Sequence, residues 1–214
     1  MPKVKVKICG VRTKEAIEAA AQGGASYIGF NFYRLSPRYI FPDQAAQMSK
    51  IVPSSLKIVV VTADADDRIF DDVFERFTPD MLQFHGKETP RRVADLKTRF
   101  RMPVVKAIPI TVPHDFEAAK PFEDVVDWLL FEGTPPTNAM LPGGNAAPFD
   151  WKLMEGKTFK RPWFLAGGLN AKNIAEALQV SGAQAVDVSS GVEKTLGEKD
   201  PRMIGEFLRT IPQT

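Results

Sequence analysis

The sequence predicts an α/β fold, a single (β/α)8 barrel domain over residues 1–214. Eight short runs rich in β-branched residues alternate with longer segments of helical periodicity, which is typical of repeated β-α units around a parallel sheet. An open doubly wound sheet is the alternative, and it usually carries a G-x-G-x-x-G fingerprint after its first strand. Here the first turn reads Cys9-Gly10-Val11-Arg12 without that fingerprint. We therefore favour the closed barrel.

The predicted elements follow each other along the whole chain. The strands are expected at Val4–Cys9, Tyr27–Phe32, Leu56–Val61, Met81–Gln83, Val104–Ile108, Trp128–Phe131, Trp163–Ala166 and Ala185–Val188. The helices are expected at Thr13–Ala21, Asp43–Lys50, Arg68–Phe77, Arg91–Phe100, Ala171–Val180 and Pro201–Thr210, with weaker helical segments at 114–120 and 149–156. The longest irregular stretch, residues 133–148, would follow strand six on the face where barrel active sites lie.

Composition excludes several classes of function. The 214 residues carry a net charge of +2 with both signs interspersed, which argues against a nucleic-acid surface. One cysteine and two histidines, His85 and His114, leave no basis for a disulfide or a multi-ligand metal site. The first strand begins almost at Met1, and no apolar run reaches the 18 or so residues that cross a bilayer. We expect a cytoplasmic protein without metal or membrane contact.

The first strand carries a candidate catalytic thiol. Alternation places Lys5, Lys7 and Cys9 on one face, toward the barrel interior, with Cys9 at the C-terminal end of the strand. An ammonium beside a thiol lowers its pKa, and Lys7 stands in the right place to do so. Cys9 is therefore a candidate nucleophile or base, although most lone cysteines are simply buried structural residues.

Two small-residue turns predict a phosphate site. Gly167 and Gly168 end strand seven, and Ser189, Ser190 and Gly191 end strand eight. Glycine lets backbone N–H groups approach a phosphate closely, and barrels frequently bind phosphate with these two loops. A Gly-Gly pair alone is often just a turn, so the prediction depends on both turns together.

Charged residues near the strand ends complete the predicted mouth. Asp187 shares the inward face of strand eight and is expected to neutralise Lys7 or Lys5 across the closing seam. Glu132 ends strand six and could act as an acid if partly desolvated, or be a solvated loop residue. Arg38 could bind a carboxylate or phosphate bidentately or lie in solvent. His85 points to the mouth by parity with Gln83, where we favour a hydrogen-bonded framework residue.

Taken together, these segments resemble the phosphoribosylanthranilate isomerase family of tryptophan biosynthesis. The matching motifs occur in family order over essentially the whole chain: Lys7-Ile8-Cys9-Gly10, Gly29-Phe30, Ser36-Pro37-Arg38, Leu82-Gln83-Phe84-His85-Gly86, Lys106-Ala107-Ile108, Pro142-Gly143-Gly144-Asn145, Phe149-Asp150-Trp151, Ala166-Gly167-Gly168-Leu169-Asn170, Val186-Asp187-Val188-Ser189-Ser190-Gly191-Val192-Glu193, Gly197 and Lys199-Asp200. Any one of them is weak, but the ordered set is specific.

The resemblance implies a cofactor-free Amadori rearrangement of N-(5-phosphoribosyl)anthranilate by a monomer or homodimer. Cys9 matches the family's base and Glu132 occupies the position of its acid, an aspartate. Arg38 matches the arginine on the anthranilate side. Substrate contact is further expected for Lys7, His85, Gly144 and Asp187, and phosphate contact for Gly167, Gly168, Ser189, Ser190 and Gly191.

Glu132 is the main departure from that pattern. It keeps the carboxyl but adds a methylene, and a misplacement of about 1 Å can cost on the order of 10²-fold in rate. A phospho-ligand-binding barrel that has lost catalysis, or an altered substrate, is therefore an alternative. A neighbouring barrel isomerase that uses two aspartates is a weaker one, because Lys7-Ile8-Cys9-Gly10 is unlike its first strand.

Overall fold

The computed structural model describes residues 4–134 and 148–212. Eight parallel strands close into a barrel in chain order, and the last strand pairs with the first. The strands are β1 Lys5–Cys9, β2 Tyr27–Asn31, β3 Lys57–Thr62, β4 Met81–Phe84, β5 Val104–Ile110, β6 Trp128–Gly133, β7 Trp163–Leu165 and β8 Ala185–Val188. The predicted fold class is confirmed.

In the described part of the chain, six α-helices surround the barrel: α1 Lys14–Gln22, α2 Pro42–Ser49, α3 Asp67–Arg76, α4 Pro90–Phe100, α5 Ile174–Ser181 and α6 Pro201–Thr210. Side chains of Thr13, Asp66, Thr89 and Asp200 accept backbone N–H groups at the starts of α1, α3, α4 and α6. Pro42, Pro90 and Pro201 occupy the first position of their helices, where the missing N–H is not needed. Polar caps and proline thus set most helix starts.

Four segments differ from the prediction. The two weak helical segments are 3₁₀ helices, at Pro113–Phe122 and Trp151–Met154. Helix α5 starts three residues later than expected, because Asn170 and Asn173 bond to neighbouring backbone and keep the chain in a turn. A two-stranded hairpin, β9 Glu193–Thr195 and β10 Glu198–Lys199, follows β8 and was not predicted.

The core has two parts. A large layer lies between the strands and the helices, and a smaller one fills the barrel itself. In the inner layer, Phe164 is fully buried, with its ring centroid 4.7 Å from that of Trp128 and 5.7 Å from that of Tyr27. Aromatic packing therefore closes the lower barrel, which leaves the polar inward residues gathered at the C-terminal ends of the strands. Within residues 4–134 and 148–212, no helix is both long and apolar enough to cross a bilayer.

The inner layer predicts a large cost for removing its central ring. Phe164→Ala should lower the free energy of unfolding by about 3–5 kcal/mol, since a buried aromatic leaves a cavity that the barrel cannot refill. Urea denaturation measures this loss. Leu196→Ala is the control, because Leu196 is 72% exposed and its truncation should change stability by less than about 0.5 kcal/mol. Equal effects of the two variants would contradict the inner-layer description.

Candidate active site

Strand β1 delivers an ammonium and a thiol to the same interior face. Lys7 is fully buried and Cys9 is 8% exposed, as the strand alternation predicted. Gly29 of β2 lies opposite, and a Cβ there would stand 3.1 Å from Cys9 Sγ and 3.2 Å from Lys7 Nζ. Glycine at this position therefore leaves the space that the two functional groups occupy.

Asp187 of β8 neutralises Lys7. Lys7 Nζ donates to Asp187 Oδ1 at 2.9 Å across the seam that closes the barrel. Burial alone would lower the pKa of Lys7, but Asp187 and Cys9 raise it above its ordinary value, so the side chain stays an ammonium. Of the two lysines considered from the sequence, Lys7 is the partner, whereas Lys5 Nζ lies 5.0 Å from the centre of a Trp128 ring.

The expected lowering of the Cys9 pKa is wrong. Lys7 and Lys199 do favour the thiolate, but burial of the sulfur and the nearby Asp187 carboxylate disfavour it, and burial is the largest of these effects. The pKa of Cys9 is therefore raised above that of a free thiol. The sequence showed the ammonium but not how completely the sulfur is removed from water.

Arg38 belongs to a second buried ion cluster. Its Nε and Nη2 donate to the two carboxylate oxygens of Glu193, at 2.7 and 3.0 Å, and Lys199 Nζ binds the same carboxylate. Lys199 also donates to Ser189 Oγ, which in turn donates to the Cys9 carbonyl oxygen. The bidentate fork that was expected for a ligand is thus engaged by Glu193, and a ligand would meet the remaining N–H groups of Arg38.

Glu193 is strongly acidic in this cluster. Burial opposes its ionisation, but the hydrogen bonds and charges of Arg38 and Lys199 outweigh that effect and hold its pKa at about 2. Burial also lowers the pKa of Lys199, against the opposing effect of Glu193. The cluster fixes the loop after β2 to the hairpin after β8, since Arg38 and Glu193 lie 155 residues apart.

Glu132 is held by a side chain that follows β4. Glu132 is the next-to-last residue of β6 and is buried, and its Oε2 lies 2.7 Å from His85 Nε2. On the other side of the ring, His85 Nδ1 lies 2.9 Å from Gln83 Nε2. Gln83 of β4, His85 directly after β4 and Glu132 therefore form one hydrogen-bonded series, which we call the β4 series, and Glu132 is not a solvated loop residue.

A buried ion pair holds the loop that carries His85. Lys106 Nζ donates to the carbonyl oxygens of Phe84 and Gly86, on either side of His85, and to Glu88 Oε2. Glu88 in turn accepts the backbone N–H groups of Asp64 and Gly86. Burial lowers the pKa of Lys106, while Glu88 opposes that effect. The loops after β3 and β4 are thereby fixed to each other.

The predicted site residues largely meet in one cavity at the C-terminal ends of the strands. We call it the Cys9 cavity; its lining includes Cys9, Arg38, His85, Glu132, Gly167, Asp187 and Ser189, together with Asn31, Tyr33, Ser36, Val61, Thr62, Ala63 and Ala166. Lys7 lies beneath the cavity, where its Nζ donates a hydrogen bond to Asp187. Gly168, Ser190 and Gly191 are not part of this lining but continue the same two loops. Gly144 lies outside the described residues.

The two loops of the predicted phosphate site are packed against each other. Gly167 and Gly168 both have positive φ, 89° and 65°, which only glycine adopts without strain. A Cβ on Gly191 would lie 1.9 Å from the Leu169 carbonyl oxygen, so only glycine fits between the loops. Glycine is thus required at these three positions by backbone geometry.

Four residues of the site were missed as functional candidates. Gln83, Lys106, Glu193 and Lys199 all appear in the motifs quoted above, but none was assigned a partner or a role. The parity of β4 pointed Gln83 inward, and that was the one usable signal. The partners of Lys106, Glu193 and Lys199 depend on loops that meet only in the folded barrel.

A closed (β/α)8 barrel with a polar cavity at the C-terminal ends of its strands has the architecture of barrel enzymes. Comparison with known proteins narrows that class. The family model of N-(5'-phosphoribosyl)anthranilate (PRA) isomerase matches residues 6–210. The chain belongs to this family.

Curated relatives and solved structures agree. The N-(5'-phosphoribosyl)anthranilate isomerase of Parvibaculum lavamentivorans is 47% identical over 208 residues, which cover 96% of this chain and 97% of the relative. That of Brucella canis is 47% identical over 206 residues, covering 96% and 93%. The crystal structure of the Thermotoga maritima enzyme superimposes with a TM-score of 0.85 at 32% identity, covering 97% and 98%.

A liganded relative is also similar. A phosphoribosyl anthranilate isomerase in complex with reduced 1-(o-carboxyphenylamino)-1-deoxyribulose 5-phosphate has a TM-score of 0.82 and 31% identity, with 97% of both chains covered. That relative binds a phosphorylated analogue within the same fold.

The acidity of Glu193 predicts a pH-dependent contribution to stability. A depressed folded-state pKa stabilises the protein above the unfolded-state pKa near 4.5, and the stabilisation disappears as the pH falls toward 2. Glu193→Gln should therefore be less stable than the wild type at pH 6, with a gap that narrows at pH 4 and pH 3. Urea denaturation at these three values tests this. The exposed Glu206→Gln is the control and should show little gap at any pH; a Glu193 gap that is constant with pH would contradict the ion cluster.

Proposed function

We propose that this protein isomerises N-(5'-phosphoribosyl)anthranilate to 1-(2-carboxyphenylamino)-1-deoxyribulose 5-phosphate, with Cys9 as base and Glu132 as acid. The reaction is the one for which the family and its relatives are named, and it is a step of tryptophan biosynthesis. The observation that carries the residue assignment is that Cys9, from β1, and Glu132, from β6, line the same cavity.

The acid acts first. Glu132 donates a proton to the ring oxygen of the ribose while the bond between that oxygen and C1 breaks, and the nitrogen lone pair forms the C1=N bond of a protonated Schiff base. Glu132 is buried at the mouth of the barrel, 8% exposed, and a positioned carboxylic acid is a suitable group for general acid catalysis.

The base acts next. The Cys9 thiolate removes the C2 proton, the electron pair forms the C1=C2 bond, and the electrons of C1=N return to nitrogen to give the enolamine. The thiol then gives its proton to C1 while the C2 hydroxyl proton passes to Glu132, so both groups are restored. Lys7 and Lys199 favour the thiolate electrostatically, which stabilises it during the C2 proton transfer.

Substrate binding is assigned to the two sides of the cavity. Gly167, Gly168, Ser190 and Gly191 would hold the phosphate through the two packed loops, with Ser189 beside them. Arg38 would meet the anthranilate carboxylate with the N–H groups that Glu193 leaves. The proposal includes a small phosphorylated substrate, a reaction without cofactor and the cytoplasmic location that the sequence analysis expects.

The assignment predicts how isosteric variants behave. Cys9→Ser and Glu132→Gln should each lower kcat by roughly 10²–10⁴-fold, since each removes a general acid or base while keeping the shape. Glu132→Asp should keep the enzyme working. Loss of the anthranilate signal from freshly made phosphoribosylanthranilate, followed by fluorescence, measures the rates.

A control variant, a contradicting result and a binding measurement complete the test. The control Glu206→Gln should retain wild-type rates, because Glu206 is exposed on α6. Full activity of Cys9→Ala would end the proposal for the base. A wild-type protein that binds a product analogue but neither turns over the substrate nor complements a strain lacking the isomerase would be a phospho-ligand-binding barrel instead.

A further inference from the structure

The β4 series has a direction. The amide nitrogen of Gln83, Nε2, can donate a hydrogen bond but cannot accept one. At 2.9 Å it therefore donates to His85 Nδ1, which must present a lone pair. A neutral imidazole with an unprotonated Nδ1 carries its hydrogen on Nε2. His85 Nε2 therefore donates to Glu132 Oε2 at 2.7 Å. One buried amide thus selects the tautomer of the ring.

Gln83 occupies a position that packing alone would give to an apolar residue. It is fully buried inside the barrel, beside Val61 of β3 and Val105 of β5. Its Oε1 has no hydrogen-bond partner in the part of the chain that the structure describes. An unsatisfied buried acceptor is costly, and the other end of the same amide serves His85 alone. The hydrogen bond to His85, rather than packing in the core, therefore explains why a glutamine occupies position 83.

The backbone around His85 is fixed independently of the ring. Lys106 binds the carbonyl oxygens on both sides of it, and Glu88 ties the same loop to Asp64. Rotation of the loop is thereby restricted, so the donor on Nε2 keeps one direction. The contacts of Lys106 and Glu88 place the backbone that carries the ring, and Gln83 sets its tautomer.

We propose that Gln83 and His85 are positioning residues: Gln83 keeps His85 as the neutral Nε2–H tautomer, and the Nε2–H of His85 fixes the place of the Glu132 carboxyl through Oε2. The same arrangement compensates for the long reach of a glutamate, because His85 fixes where its carboxyl lies. The catalytic consequence depends on the proposed function of Glu132, whereas the tautomer does not.

Several charged groups share this environment. Cys9 from β1, Arg38 from the loop after β2 and Asp187 from β8 face the series from the Cys9 cavity. Asp64 and Lys87 lie with His85 and Glu132 around an adjoining cavity. Because these groups stay the same in a Gln83 variant, a change in pH dependence on altering Gln83 reports the β4 series.

Nitrogen-15 NMR of the wild type tests the tautomer without any turnover. The chain has only two histidines, and His114→Gln assigns the exposed one. We expect the His85 Nδ1 signal of an unprotonated imine-type nitrogen and a proton on Nε2 at neutral pH. A proton on Nδ1 of the wild type would overturn the proposal, whatever the activity of the enzyme.

Variants of Gln83 test the consequence. Gln83→Glu replaces the amide donor by a carboxylate acceptor beside Nδ1. If Nδ1 takes a proton from solvent while Nε2 keeps its own, the resulting imidazolium favours the ionised form of Glu132. We expect kcat to fall by roughly 10- to 100-fold, KM to stay within about threefold, and the alkaline limb of kcat against pH to move to lower pH. Gln83→Met, which keeps the volume without the charge, should lose less activity. Unchanged profiles in both variants would contradict the proposal.

Substitutions at His85 and Glu132 provide a control for folding and test the effect of side-chain length at position 132. His85→Gln keeps an N–H donor of similar reach and should recover activity that His85→Ala loses. His85→Ala should lower activity more in the wild-type background than in a Glu132→Asp background. The shorter aspartate carboxyl is expected to fall short of His85 Nε2. Equal losses of activity in both backgrounds would contradict the positioning role. A Glu132→Gln variant with wild-type activity would instead contradict the proposed function itself.

Discussion

The buried ion pair between Lys7 and Asp187 is the interaction on which the site depends. It joins residues 180 positions apart, at 2.9 Å, across the seam where β8 meets β1. Removing one partner of a buried pair typically costs about 3–5 kcal/mol, because the other charge is left without compensation. The pair therefore couples closure of the barrel to a positive charge beneath Cys9, and the space at Gly29 exists for that charge and the sulfur.

Around the thiol, the charges are nearly but not fully balanced. Lys7, Lys199 and Arg38 supply three cations, and Asp187 and Glu193 supply two carboxylates. A thiolate at Cys9 would complete the balance, yet burial keeps the resting thiol protonated by raising its pKa. A sulfur of this kind is a strong base once its proton is gone. The base is therefore the thiolate fraction of Cys9, which the raised pKa keeps small at neutral pH and which grows as the pH rises.

Local patterns predicted the strands, the faces of the site and the pairing of Asp187 with a lysine of β1, but they did not predict the other partners. Alternation along β1 placed Lys7 and Cys9 inside, and the apolar run of β6 placed Glu132 at its end. By contrast, the bond from Arg38 to Glu193 spans 155 residues and the one from His85 to Glu132 spans 47. Such pairs form only after the barrel closes. The extent of burial around Cys9 is equally non-local, which is why the direction of its pKa shift was mistaken.

Titration of Cys9 by alkylation tests the central claim most directly, because the chain has a single cysteine and every modified thiol is this one. The rate of reaction with iodoacetamide, measured from pH 6 to pH 11, reports the thiolate fraction. We predict a midpoint above the value of about 8.5 for a free thiol, since burial outweighs the two lysines. A midpoint near 7 would contradict this account, because it would mean that Lys7 and Lys199 outweigh burial and that the thiolate already exists at rest.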